Sequence, residues 1–319
     1  MTYIIGIDGG GTKTTCLFLE CGGTTYPKHP LMVNGPGTNP HVVGFEEAGR
    51  RLEHLLRHGM QTFSLTPRDI SGAGMGLAGV GRPDEVEQMT GIVQTLFFNL
   101  KFSENLNLSI TSDVHAALKG SLPPGIDEGM LLISGTGSNA VGITAAGKLV
   151  KCGGWGHLMG DEGSGYQLSL KALSKVAKAA DGREASTQLT SLILQTCGLE
   201  RPEQLIRYMY ERPFEKKEIA AFAPCVIKAS EQGDQTAVNL LKEAAEELVL
   251  HIGSLVKQGV DPKAPVSVAG SIFTHSHVLR NHVGRLLEDR QFGSLTDPYA
   301  PPEYGAALLG KPAGMDKER

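Results

Sequence analysis

The sequence predicts an α/β protein in two halves, each opening on a β-hairpin with a glycine turn. Three observations carry this. Residues 3–8 are β-rich and end in Asp8, the triplet Gly9-Gly10-Gly11 follows, and Thr12 to Leu19 alternates as a second strand. Met130 to Ser134 is a further strand, broken by Gly135-Thr136-Gly137-Ser138 and resumed from Asn139 to Ile143. Between and after these hairpins, short apolar runs alternate with stretches of helical spacing. Two hairpins of one kind point to an internal duplication.

The remaining elements follow in order. Cys21-Gly22-Gly23 is a turn into a third short strand, and Asn34 to Pro40 is a loop by composition. Residues 42–58 place Val43, Leu52, Leu55 and Leu56 at helical spacing. Residues 70–78 form a buried, glycine-rich strand, and Pro83 suits the first turn of a helix. Leu106 to Thr111 is another strand, with a helix beginning at Ser112-Asp113. From Glu162 to about Val260 the pattern is mainly helical, including a long amphipathic helix from Asp234 to about Gln258. Val266 to Val268 is a strand with Ala269-Gly270-Ser271 as its loop, and Pro301 to Leu309 is a short terminal helix.

Composition removes several classes of function. The 319 residues carry 30 basic and 34 acidic side chains, net −4, with no basic cluster of the kind nucleic-acid binding needs. No apolar run approaches the ~18 residues of a membrane helix, and the first residues lack a signal-peptide pattern. Cys16, Cys21, Cys152, Cys197 and Cys225 include no CxxC pair, which suits free thiols in a reducing cytoplasm. The 41 glycines exceed the ~7% of average usage and direct attention to loops where backbone approaches phosphate.

Five loops carry candidate chemistry. In Asp8-Gly9-Gly10-Gly11-Thr12-Lys13, glycine amides can surround phosphate oxygens, Thr12 offers a hydroxyl, Lys13 a charge, and Asp8 can hold magnesium, directly or through water. The spacing is neither GxxxxGK[ST] nor GxGxxG, and a tight turn is the plain alternative. Ser134-Gly135-Thr136-Gly137-Ser138-Asn139 is compatible equally with a turn or a second phosphate wall. Asp113, at a strand's carboxyl end, reads first as a helix cap and also suits a general base for a sugar hydroxyl. Cys152 to Gly165 holds the only Trp and six glycines, an arrangement for stacking and hydrogen-bonding a sugar. Gly270, after a strand, admits a nucleoside or simply turns the chain.

The stretches IDGGGTKT, PGTNP, SDVHAAL, LISGTGSNAVG, CGGWGHLMGDEGSGY and VAGSIF, in this order along nearly the whole chain, resemble the sugar kinase, Hsp70 and actin superfamily. Within it they are similar to the N-acetylglucosamine kinase branch of the BadF/BadG/BcrA/BcrD-type ATPases. The resemblance implies two RNase H-like domains flanking an active-site cleft. Residues 1–115 form the first, joined by a helix over 302–319, and 116–301 the second, with a helical insertion at about 162–260. It implies ATP and Mg²⁺ as cofactors. By the same resemblance Gly10, Gly11, Thr12, Gly135 and Thr136 would bind phosphates, Asp8 would place the metal, and Gly270, Ser271 and Ala220 would line the nucleoside pocket. Asn39, Asp113, Ser138, Asn139, Gly154, Trp155 and Asp161 would contact the sugar, with Asp113 as general base. The expected reaction is transfer of the ATP γ-phosphoryl to the 6-hydroxyl of N-acetylglucosamine, by a cytoplasmic enzyme that is free to be a homodimer. Glucosamine, N-acetylmannosamine and N-acetylmuramic acid are alternative substrates. Two other classes stay open: a partner-coupled ATPase, like the activators of hydroxyacyl-CoA dehydratases, and a non-catalytic sugar sensor. The activators need cysteines that bridge an iron–sulfur cluster, and no credible ligand set is present. The sensors' N-terminal DNA-binding module has no room before the first strand.

Overall fold

The computed structural model describes residues 2–22 and 25–312. Gly23, and residues 313–319 of the expected terminal helix, lie outside the described residues. The chain divides into two units, Met1–Asp127 with Pro298–Arg319, and Glu128–Asp297.

The first unit holds β1 (Tyr3–Gly9), β2 (Lys13–Glu20), β3 (Leu31–Pro36), α1 (Pro40–Val43), α2 (Phe45–Thr62), β4 (Ile70–Leu77), α3 (Pro83–Asn99), β5 (Asn107–Ser112) and α4 (Asp113–Ser121). Its sheet runs β3-β2-β1-β4-β5; β1, β2 and β3 pair antiparallel, while β4 and β5 continue parallel to β1. The second unit holds β6 (Gly129–Ser134), β7 (Ser138–Ile143), β8 (Leu149–Gly153), α5 (Gly165–Ala180), α6 (Gln188–Cys197), α7 (Gln204–Tyr210), α8 (Lys216–Ala220), α9 (Ala223–Glu231), α10 (Gln235–Lys257), β9 (Val266–Ala269), α11 (Ser271–His275), α12 (His277–Asp289) and β10 (Leu295–Thr296). Its sheet runs β8-β7-β6-β9-β10 with the same sequence of antiparallel and parallel pairings. The duplication is therefore real at the level of topology: each unit is an RNase H-like α/β sheet, and each glycine turn joins its first two strands. The return helix α13 (Pro302–Leu309) belongs to the first unit. The unit boundary follows α4, whereas a divide at 115 crosses that helix.

Alternation along β1 positions the chemistry. Ile5 and Ile7 join the core under α2 and α3, while Ile4 joins a separate cluster with Tyr304 and Ala307 of α13. Side chains alternate with period two, so Gly6 and Asp8 share the α13 face with Ile4. Glycine lets α13 lie directly on that face. A Cβ at Gly6 would stand 2.0 Å from Glu303 O, and one at Gly74, the neighbour of Gly6 on β4, 1.8 Å from Ala306 O. Gly305 of α13 meets α4 equally closely, with a Cβ 2.0 Å from Ala116 O. Overpacking of this kind costs about 3 kcal/mol. Gly74→Ala is expected to lower the melting temperature by roughly 10 °C, at ~2–4 °C per kcal/mol. Differential scanning calorimetry checks it, and an unchanged melting point would show that α13 docks otherwise.

In the second unit, α10 supplies the long buried stripe, with Leu241, Ala245, Leu248, Ile252 and Leu255 at helical spacing. Asp234 starts it as expected, accepting from the Ala237 amide at 2.9 Å, and its other oxygen accepts from the Gln188 amide of α6 at 2.7 Å.

Three local expectations change. Asn34 to Pro36 is strand, not loop, because β3 pairs with β2 from Leu31 through Pro36. Cys152-Gly153 ends β8 rather than opening a loop, paired with Asn139 and Ala140 of β7. Ser271, expected in the loop after β9, instead begins α11, and α12 follows with a narrow buried stripe of Leu279, Val283 and Leu287.

Candidate active site

The β1–β2 turn is closed by the Gly10 amide donating to Lys13 O at 2.9 Å. The segment after β3 braces it. The amides of Thr38 and Asn39 donate to Gly10 O at 3.0 and 3.2 Å, and the Gly37 amide donates to Thr12 O at 3.1 Å. A Cβ on Gly37 would stand 2.2 Å from Gly11 O, so the two backbones touch. Arg51 secures the brace by donating to Gly37 O at 2.8 Å. PGTNP is thus the buttress of the first glycine turn, a role its composition does not disclose. Gly11, Thr12 and Lys13 remain exposed, and a Cβ on Gly11 would meet nothing within 4 Å, so this stretch of backbone is open to an approaching anion. Asn39 spends its Oδ1 on the His41 amide, 2.9 Å away, as the cap of α1, which leaves its amide nitrogen as the donor for a ligand.

Three carboxylates gather on the α13 face of this sheet. Burial, then the charges of Glu303 and Asp113, push Asp8 up to about 6, while Lys13 opposes them. Asp113 begins α4, and its Oδ1 accepts from the Val114 amide at 2.9 Å. Burial raises its pKa, and that amide bond pulls the other way. Ser112 holds the cap position of α4 but makes no side-chain cap bond, so the first-turn amide is held by Asp113. Glu303, in the first turn of α13, is buried, and burial raises its pKa against the nearby Lys13. Sequence reasoning missed Glu303, because an acid in a helix's first turn is ordinary capping chemistry.

This donor set fits magnesium bound through water. Among the described residues no three His, Cys, Asp or Glu groups form a direct cage. Mg²⁺ keeps several waters and takes one or two carboxylates together with phosphate oxygens. A divalent cation would also offset the burial, and then the repulsion from Glu303 and Asp113, that hold Asp8 high.

In the second unit, four segments come together, of which the β6–β7 turn is the first. The Gly135 amide donates to Gly137 O at 2.9 Å, and the Gly165 amide to Gly135 O at 2.8 Å. Ser134 Oγ donates to Gly163 O at 2.8 Å, and Ser138 Oγ to Glu162 O at 2.6 Å. Gly270, at φ 100°, lies so close that a Cβ would stand 2.2 Å from Ser134 O. Ser271 N would lie 3.8 Å from a Cβ on Gly135. Thr136 and Ser271 are exposed beside them. The fourth segment is the start of α8, where Lys216 Nζ lies 2.6 Å from Asp161 Oδ2. Ala220 ends the same short helix.

The predicted sugar residues of this unit form a second group. Gly154, at φ 74°, would place a Cβ 3.6 Å from Asn139 Cβ. Asn139 Oδ1 is buried with no hydrogen-bond partner among the described residues. Trp155 is 72% exposed, its ring unclaimed by the core, and Leu158 and Met159 beside it are exposed too. His157 instead packs edge-on against Tyr166, ring centroids 5.1 Å apart. Asp161 is the departure in this group. Its carboxylate is buried, and it accepts from the Ser138 amide at 3.1 Å as well as pairing with Lys216.

Duplicated sheets of this order, each with a glycine turn between its first two strands and the first with an acidic cluster, define an actin-like ATPase. The chain belongs to the BadF/BadG/BcrA/BcrD ATPase family, whose pattern spans residues 5–310. It is 32% identical to the N-acetylmuramic acid/N-acetylglucosamine kinase of Clostridium acetobutylicum over 90% of both chains. It is 29% identical to the N-acetyl-D-glucosamine kinase of Dictyostelium discoideum over 96% of both. Among solved structures it is similar to a Chromobacterium violaceum protein proposed to be an N-acetylglucosamine kinase, with TM-score 0.72, 25% identity, and coverage of 97% of this chain and 99% of that one.

Proposed function

We propose that the protein is an ATP-dependent amino-sugar kinase that phosphorylates the 6-hydroxyl of N-acetylglucosamine. The observation that carries the reading is Asp113: a half-buried carboxylate just past the end of β5, held by the Val114 amide and its own backbone amide, and near enough to Asp8 to raise that group's pKa. Its neighbours Asp8 and Lys13 are the groups a polyphosphate requires. Kinship over nine-tenths of the chain with kinases named for N-acetylated amino sugars supports the substrate.

In this reading, the sugar O6–H gives its proton to Asp113 as O6 forms its bond to the γ-phosphorus. The bond from that phosphorus to the β,γ-bridging oxygen breaks, and ADP leaves. In the first unit, Gly10, Gly11, Thr12 and Lys13 hold phosphate oxygens, and Asn39 donates its amide to the sugar. In the second, Gly135 and Thr136 hold phosphate, and Gly270, Ser271 and Ala220 line the nucleoside pocket. Ser138, Asn139, Gly154, Trp155 and Asp161 recognise the sugar, Trp155 by stacking and Asn139 through its unpartnered oxygen. Magnesium, held through water by Asp8, would neutralise charge on the β- and γ-phosphates. The five unpaired cysteines suit a reducing compartment such as the cytoplasm. Among the described residues no helix is long and apolar enough to cross a membrane.

N-acetylmuramic acid is the second substrate to consider, because the Clostridium relative is named for both sugars. A coupled kinase assay over N-acetylglucosamine, N-acetylmuramic acid, glucosamine and N-acetylmannosamine tests the reading. The highest kcat/KM is expected for N-acetylglucosamine. ATP consumption at one rate with and without every sugar would overturn the kinase reading in favour of a partner-coupled ATPase.

A further inference from the structure

The Lys216–Asp161 pair is poorly made for a purely structural bridge. Asp161 is 3% exposed and adopts φ 65°, a left-handed conformation that a non-glycine residue enters only at a cost. Its Oδ1 is bound by the Ser138 amide, yet its Oδ2 is buried without a hydrogen bond, although Lys216 Nζ lies 2.6 Å away. The ammonium is therefore near Oδ2 but off its hydrogen-bonding direction. Ion pairs that are buried and imperfectly directed add little net stability, so this one has no evident structural reason.

Its position supplies another reason. A Cβ on Gly137 would stand 2.7 Å from both Asp161 Oδ1 and Lys216 Nζ. The ammonium thus lies directly against the crown of the second glycine turn. Lys216 keeps 30% of its side chain exposed, and Thr136 of the same turn is exposed as well. A lysine ammonium carries three donors on a flexible stem and binds phosphate as a point charge. The turn offers backbone amides, and Lys216 places a cation beside them.

We propose that Lys216 is a ligand of the nucleotide's terminal phosphates, held in readiness by Asp161 against the Gly135–Gly137 turn. The proposal rests on the kinase reading and deepens it. When a polyphosphate occupies the turn, the ammonium turns from Asp161 to a phosphate oxygen. Oδ2 of Asp161, a residue assigned to the sugar, is then released for a sugar hydroxyl. Nucleotide and sugar bind with mutual reinforcement, since any coupling of this kind is reciprocal.

Isothermal titration of ADP and of adenosine into the wild-type protein, Lys216→Met, Lys216→Arg and Asp161→Asn tests this. Lys216→Met should bind ADP roughly 10- to 100-fold more weakly, the range for loss of one charge-assisted contact. Its adenosine affinity should be unchanged, which also reports an intact fold. Lys216→Arg should recover part of the loss, and Asp161→Asn, which frees the ammonium, should bind ADP at least as tightly as wild type. Equal ADP affinity in wild type and Lys216→Met would overturn the role of Lys216 alone. Parallel loss in Lys216→Met and Asp161→Asn would reduce the pair to a structural brace and also overturn it. A wild-type protein that binds no ADP would overturn the kinase reading together with this inference.

Discussion

Asp113→Asn is expected to lower kcat for sugar phosphorylation by about 10²- to 10⁴-fold, the usual contribution of a positioned general base. The amide keeps the size of the carboxylate, and its oxygen can still accept from the Val114 amide, so the start of α4 is preserved. Because burial disfavours the ionised side chain, the neutral replacement should leave the melting temperature unchanged or slightly raised. ATP binding should also persist. Steady-state kinetics beside titration of ATP into the variant separates chemistry from binding. Activity within tenfold of wild type would remove Asp113 from its role.

Asp8→Asn should make the protein more stable while impairing its use of Mg·ATP. The folded-state pKa of Asp8 is raised from 3.8 to about 6, chiefly by burial and then by Glu303 and Asp113. The folded protein therefore binds more protons than the unfolded chain between those values. Stability falls as pH rises through that window and stays reduced above it. At ~1.4 kcal/mol per unit the penalty at pH 8 is bounded near 3 kcal/mol, and about half that after solvent screening of a partly exposed group. Removing the charge should raise the melting temperature at pH 8 by several degrees, at ~2–4 °C per kcal/mol. Near pH 4, where folded wild-type Asp8 is neutral, the gain should shrink toward zero. Calorimetry of both proteins at the two pH values, without nucleotide, is the measurement. The same gain at pH 4 and pH 8 would mean that the charge is not its source. In wild type, magnesium-dependent activity should decline as pH falls through about 6.

Both predictions concern residues that stand out in the sequence, because one lies near the end of β1 and the other just past β5, strands whose pattern is local. The two hairpins, Asp8 at the end of β1 and Asp113 after β5 needed no tertiary information. Glu303 did. It is an acid among Pro302, Tyr304 and Gly305, indistinguishable from helix-start chemistry until α13 lies on Gly6 and Gly74 and brings it toward Asp8. Lys216 was equally hidden, as one of two lysines beginning a short polar helix, 55 positions from Asp161 (216 − 161). The abundant glycines pointed to phosphate loops; Gly10, Gly11, Gly135 and Gly137 lie in the β1–β2 and β6–β7 turns. Others serve close packing instead, Gly6, Gly72 and Gly74 against α13 and the residue that follows it, and Gly305 between α13 and α4. Composition cannot separate these uses, because both exploit the missing Cβ.

The return of α13 also governs how the protein is made. The first sheet emerges early from the ribosome, but the helix that covers its glycine face and carries Glu303 follows only after all of Glu128–Asp297. At about 5–20 residues per second, that interval is roughly 10–30 s. Until then Ile4, Leu17 and Leu19 lack the cover that Ala300, Tyr304 and Ala307 give them in the finished fold.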